Sequence, residues 1–157
     1  MSHRFIEGVI DRATHRTVLM HRFTRDFKAG IEWNAQADEI GVVANWRALQ
    51  ETQTRPALIF GTSSDRIGTP SGQSYYATIS KSFSRVAPYA GVSWSEYEER
   101  LLYPFGLNVA LPKGWSAMLI NDGVHTHLSA TYARRNVSLT VLAVERRKFG
   151  VTIGTTF

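Results

Sequence analysis

The chain has 157 residues, 43% of them hydrophobic, no cysteine and a formal charge of +5. That length fits one domain spanning 1–157, and without cysteine there is neither a disulfide framework nor a thiolate metal site. No run of about 18 apolar residues occurs, which excludes a transmembrane helix but leaves membrane strands open, since these need only alternate residues to be apolar.

Residues 4–12 and 16–24 are β-rich, and residues 1–24 carry the weakest pattern of the chain. Phe5, Val9, Val18 and Met20 read as one face, interrupted by Glu7 and Arg22, and a short amphipathic helix is the alternative for the first segment. From Phe27 the alternation sharpens. Phe27, Ala29, Ile31 and Trp33 oppose Lys28, Gly30, Glu32 and Asn34, because successive strand side chains point to opposite faces. Ile40, Val42, Ala44 and Trp46 likewise oppose Gly41, Val43, Asn45 and Arg47. Residues 56–63 are nearly all apolar, so their facing is not assigned. The stretch 63–73, rich in Gly, Pro, Ser and Asp, reads as the longest loop.

Residues 74–83 set Tyr75, Ala77 and Ile79 against Tyr76, Thr78 and Ser80. In 86–94, Val86, Pro88, Ala90, Val92 and Trp94 share a face, with Pro88 expected near the strand's start or at a bulge because it cannot donate a ladder hydrogen bond. Residues 101–111 set Leu101, Tyr103, Phe105, Leu107, Val109 and Leu111 against Leu102, Pro104, Gly106, Asn108 and Ala110. Residues 115–122 are apolar on both faces. In 125–133, Thr126, Leu128, Ala130 and Tyr132 oppose His125, His127, Ser129 and Thr131. In 137–144, Val137, Leu139, Val141 and Ala143 oppose Ser138 and Thr140. Short turns at 112–114, 121–123, 134–136 and 145–148 carry sound turn chemistry.

The last strand runs from Phe149 to Phe157, with Phe149, Val151, Ile153 and Phe157 on one side and Gly150, Thr152, Gly154 and Thr156 on the other. This strand, ending on Phe, together with aromatic strand ends (Trp33, Trp46, Trp94, Tyr103, Trp115, Tyr132, Phe149, Phe157), resembles the bacterial outer-membrane β-barrel proteins. The expected fold is all-β, an antiparallel up-and-down meander barrel of about 10–12 strands, closed because closure removes exposed edges. The resemblance implies an outer-membrane location and a structural, pore or surface-contact role. It also implies lipid or lipopolysaccharide contact, with small solutes or envelope proteins as further partners. Counting connections back from Phe157 puts 63–73 on the outer side and the shortest turns on the periplasmic side, as such barrels require.

Three features bear on alternatives. The start, MSHRFIEGVIDR, has no apolar core or cleavage site of a signal peptide, so it reads as a mature or truncated start or as a protein that stays in the cytoplasm. The basic residues cluster in turns and not in a stripe interleaved with aromatics, so nucleic acid is not an expected partner. A soluble lipocalin-like barrel with a hydrophobic ligand would turn the faces over, apolar inward. The membrane facing is preferred because aromatics band the strand ends, which makes Lys28, Glu32, Asn45, Arg47, Asn108 and His127 lumen-lining.

Chemistry is sparse. His127 and Ser129 share a face two residues apart, a pair that resembles the His-x-Ser of outer-membrane lipid A deacylases. The Asn that follows Ser in that family is Ala130 here, and Glu145 is the only acidic partner suggested. Hydrolysis needs base, nucleophile and oxyanion donors together, so the expectation is no enzyme. His125, His127 and Asp122 lack an evident further ligand, so no metal is expected, and no cofactor. The loop lacks the Lys-Ser/Thr ending of a P-loop. Its residues Ser64, Asp65, Arg66 and Thr69 are the expected binding surface, with Asp65 and Arg66 pairing locally.

Overall fold

Hairpin follows hairpin along almost the whole chain. The computed structural model describes residues 1–7, 14–145 and 148–156. Its strands are β1 (Ser2–Ile6), β2 (His15–Arg22), β3 (Phe27–Asn34), β4 (Glu39–Leu49), β5 (Ala57–Ser64), β6 (Gln73–Ser80) and β7 (Val86–Ser95). They continue as β8 (Arg100–Leu102), β9 (Phe105–Ala110), β10 (Trp115–Asn121), β11 (Thr126–Arg134), β12 (Val137–Val144) and β13 (Lys148–Thr155). Every neighbour is antiparallel, β1 pairs with β13, and the sheet closes. β8 and β9 both pair with β7 and form one wall strand, broken at Tyr103-Pro104 where proline has no N–H for the ladder. The result is a closed meander barrel of 12 strands. Residues 2–6 form a strand, so the helical alternative for the start does not hold over those residues. Positions 8–13 and Phe157 lie outside the described residues.

Apolar side chains point out. Leu19, Ile31, Val42, Leu128, Val141 and Ile153 are all exposed, while Arg16, Glu32, Asn34, Ser95 and His127 are buried inside. This facing is opposite to the apolar-inward arrangement of a lipocalin-like barrel. It also decides the segments left open by their composition. Phe60 is exposed on the outer face, and its neighbours Ile59 and Gly61 point inward, with Ile59 paired to Arg47. Trp115 and Leu119 face out, so Met118 and Ile120, paired with Asn108 and Gly106, line the inside. The expected sharing of a face by Phe5, Val18 and Met20 is corrected. Phe5 is exposed, whereas Val18 and Met20 pair with Glu32 and Gly30 on the inner face. β2 turns Val18 and Met20 into the lumen, and its outer positions are His15, Thr17, Leu19 and His21.

The outer aromatics form two bands. Trp33, Tyr75, Trp94, Phe105 and Phe149 lie at one end of their strands; Phe27, Trp46, Trp115 and Tyr132 lie at the other, with aliphatic side chains between. The inner face makes room for its own rings by glycine. Tyr76 is paired with Gly61 and Tyr89 with Gly106. A Cβ on Gly61 would stand 2.5 Å from the Tyr76 ring, and one on Gly106 would stand 2.5 Å from the Tyr89 ring. Gly106→Val is therefore expected to destabilise the barrel by about 1–3 kcal/mol through overpacking, read as a lower urea midpoint. An unchanged midpoint would mean that neither the Tyr89 ring nor the Leu119 carbonyl beside Gly106 needs the space.

Candidate functional site

The connections 35–38, 65–72, 96–99 and 122–125 gather at one end of the barrel, here the loop end; 23–26, 50–56, 81–85, 111–114 and 135–136 gather at the other, the turn end. Connection 65–72 does not project from the loop end. It folds inward and lies across the lumen. Arg16 on β2 donates from Nη2 to the Thr69 carbonyl at 3.1 Å and from Nη1 to Glu32 Oε1 at 3.1 Å. Asn34 on β3 donates to the Pro70 carbonyl at 2.6 Å. Ile67 packs on Ile6, Leu142 and Val144, an apolar cluster from the opposite wall. Arg16 and Glu32 are only 2% and 8% exposed, so this ion pair works in a low-dielectric interior where each partner depends on the other.

Asp65 fastens the near side of the loop. Its carboxylate accepts from Ser95 Oγ at 2.8 and 2.9 Å, from the Tyr97 N–H at 3.0 Å and from the Arg66 N–H at 2.7 Å. The expected Asp65–Arg66 side-chain pair is replaced by another arrangement. The Arg66 guanidinium reaches Glu98, with Nε 2.7 Å from Oε1, because the Asp65 oxygens are already taken by Ser95 and backbone donors. Thr69 is buried, its hydroxyl donating to the Arg66 carbonyl at 3.0 Å. Ser64 ends β5, and its carbonyl accepts from Ser74 Oγ at 3.4 Å. Of the four residues expected as an outer contact surface, Asp65 and Thr69 are buried and Ser64 and Arg66 are half-buried. Beneath the loop is a cavity of about 420 Å³, lined by Arg4, Glu32, Tyr76, Ser93, Ile120 and Asp122 among others.

His127 and Ser129 do share the inner face of β11, but no proton relay joins them. His127 is fully buried; its Nε2 stands 2.9 Å from Asp122 Oδ2, and its Nδ1 accepts the Glu145 N–H at 3.4 Å. That arrangement puts a hydrogen on Nε2 and commits both ring nitrogens, so the ring has no lone pair to offer the Ser129 hydroxyl. Asp122, and not Glu145, is the acidic partner. Asp122 Oδ1 also accepts the Val124 and His125 N–H groups at 2.9 and 2.7 Å, so the pair ties the 122–125 turn to the wall. Among the described residues, no group of three His, Asp or Glu side chains could hold a metal.

Burial works to raise the Asp122 pKa, but the His127 hydrogen bond and the two backbone donors outweigh it and hold the carboxyl below the ordinary aspartate value of 3.8. A depressed carboxylate contributes stability above its unfolded pKa and loses it as pH falls through the folded one. The stability that Asp122 contributes is therefore expected to be fully present above about pH 5 and to be lost below about pH 4. Asp122→Asn should show a shallower drop in urea midpoint; an identical slope would mean that this carboxylate is not coupled to folding.

The six residues expected to line the lumen take inner-face positions. Glu32 and His127 are buried near the loop end. Asn45 accepts the Tyr76 hydroxyl at 2.6 Å, and Asn108 pairs with Met118 and Ala87. Lys28 and Arg47 stand near the turn end, where Arg47 pairs with Asp26 of the turn at 2.7 Å. With them, Arg22, Thr24, Arg25, Asn45 and Ile59 enclose a second cleft of about 380 Å³. Nothing in the sequence marks the ties from Arg16 to the loop and from Ser95 to Asp65, since neither position belongs to a motif. Comparison with protein-family models, with curated proteins and with solved structures finds no match to this chain.

Proposed function

We propose that this chain is a membrane-spanning β-barrel of the outer-membrane type, non-enzymatic, whose lumen is held shut at one end by the 65–72 loop. The role that follows is passage or contact at the envelope, under control of that loop. One observation carries the reading: the outer surface is an aliphatic belt bounded at both ends by aromatics, around a polar interior. In water, an exposed apolar surface of that extent is a liability; in lipid it is the surface a closed barrel needs.

The four tryptophans supply a direct test. Trp33, Trp46, Trp94 and Trp115 are all exposed and all lie in the two aromatic bands, where amphipathic rings favour the headgroup level. In lipid vesicles, a quencher attached near the headgroup should quench their fluorescence more strongly than one at the acyl-chain end. Equal absence of quenching by both would place these rings outside the bilayer and end the membrane reading. The envelope-lipid hydrolase alternative through His127 and Ser129 makes the separate demand that Ser129→Ala abolish lipid cleavage.

A further inference from the structure

The turn end offers a cleft unlike the rest of the lumen. β2 and β3 place Arg22 directly opposite Lys28 on the inner face. Like charges set opposite one another across a ladder repel and cost stability. Nothing on the wall relieves them: among the described residues, neither Arg22, Lys28 nor Arg25 has an ion-pair partner. The nearby carboxylate, Asp26, is committed to Arg47 and to Gln50, whose Nε2 lies 3.1 Å from its Oδ2. Four cations and one carboxylate leave three positive charges uncompensated around about 380 Å³.

Neutral donors converge on the same space. Asn45 lines the cleft with its Oδ1 occupied by the Tyr76 hydroxyl, which leaves its Nδ2 to donate. The Thr24 oxygen accepts the Asp26 and Phe27 N–H groups at 3.2 and 3.0 Å, which leaves its hydrogen free to turn into the cleft. At the far end of the lumen charge is matched instead: Glu32 is paired with Arg16, Glu98 with Arg66 and Arg100, and Asp122 is tied to His127. The uncompensated positive charge draws a mobile anion toward the turn end.

We propose that this cleft is a binding site for a small soluble anion bearing one or more phosphate groups, held by Arg22, Lys28 and Arg25 with Asn45 and Thr24 completing its hydrogen bonds. The site's charge matches a multiply charged anion, and guanidinium and ammonium groups together with amide and hydroxyl donors are the groups that recognise phosphate oxygens. A free anion is favoured over a lipid headgroup because Lys28, Asn45 and Arg22 belong to the lumen face, not to the outer surface that a lipid would touch. The proposal deepens the barrel reading and rests on it for the side to which the cleft opens.

The test is calorimetric titration of the detergent-folded full chain with pyrophosphate at low salt. Binding is expected, and Arg22→Gln with Lys28→Gln should weaken it by roughly tenfold or more. The same substitutions should raise the heat-transition temperature without anion, since they remove a repulsive pair. Arg134→Gln with Arg135→Gln, outside the cleft at the same end, should leave binding within about twofold. Equal weakening by the control pair, or no binding by the wild type, would overturn the site. Displacement of pyrophosphate by phosphatidylglycerol added to the micelles would overturn the soluble-anion assignment. A chain that fails to fold in detergent contradicts the membrane reading; a folded barrel blind to pyrophosphate contradicts only the anion site.

Discussion

Arg16→Ala is expected to destabilise the barrel by about 3–5 kcal/mol, the usual cost of removing one partner from a buried ion pair. Three consequences coincide at this residue. Glu32 is left buried without its hydrogen-bonded partner, the Thr69 carbonyl loses its donor, and the 65–72 loop loses its tie to β2. A urea titration in detergent measures the loss, and limited proteolysis should find the loop newly cleavable. Replacing both partners, Arg16→Met with Glu32→Met, is expected to recover much of the stability but not the protection of the loop, because the tie to Thr69 is still missing. If the double variant were as unstable as Arg16→Ala, the ion pair would not be the source of the effect.

Shortening the loop is expected to have the largest functional effect. Asp65 and Gly72 already approach in a ladder-like hydrogen bond, Asp65 N–H to the Gly72 carbonyl at 3.0 Å. A two-residue Asn-Gly turn in place of residues 66–71 would therefore close the β5–β6 hairpin without straining it. It keeps the Asp65–Ser95 anchor and removes Ile67, Thr69 and Pro70 from the lumen. A barrel of this size lies between small ones filled by side chains and large ones with aqueous channels, so on the proposed reading the folded-in loop is what shuts it. Ion flux through planar bilayers is expected to rise by about tenfold or more over the intact chain. Equal flux would mean that wall side chains, and not the loop, close the lumen.

Much of this architecture is written in the period-two pattern. From Phe27 onward the facing of residues such as Ile31, Trp46, Leu128 and Ile153 could be read directly, since a residue's neighbours in sequence lie on the other side of the wall. The pattern fails where the lumen itself is apolar. Ile59, Met118 and Ile120 line the inside, so their strands look greasy on both faces and carry no facing signal. β2 misleads for the same reason: Val18 and Met20 are inner residues beside Glu32 and Gly30, while His21 faces out.

The loop was legible as a loop but not as a plug. Its Gly, Pro and Ser content says only that it turns; its inward fold depends on Arg16 and Asn34, which stand 53 and 36 residues away from their loop partners in sequence. The basic cleft was half visible, because alternation put Lys28 and Arg47 inside. Only the hairpin register brings Arg22 opposite Lys28 and turns scattered charges into a site. His127 shows the converse case: adjacency to Ser129 suggested chemistry, and the partner five residues earlier, Asp122, turned out to make it a structural tie.

The central claim is that the apolar outer wall faces lipid. The most direct test is to separate cells that express the full-length chain into membrane and soluble fractions, then run the membrane fraction in detergent on gels with and without boiling. The account predicts recovery in the outer membrane and a mobility that shifts on heating, as the closed barrel opens. Recovery as a soluble monomer, stable in plain buffer with no shift on heating, would contradict it.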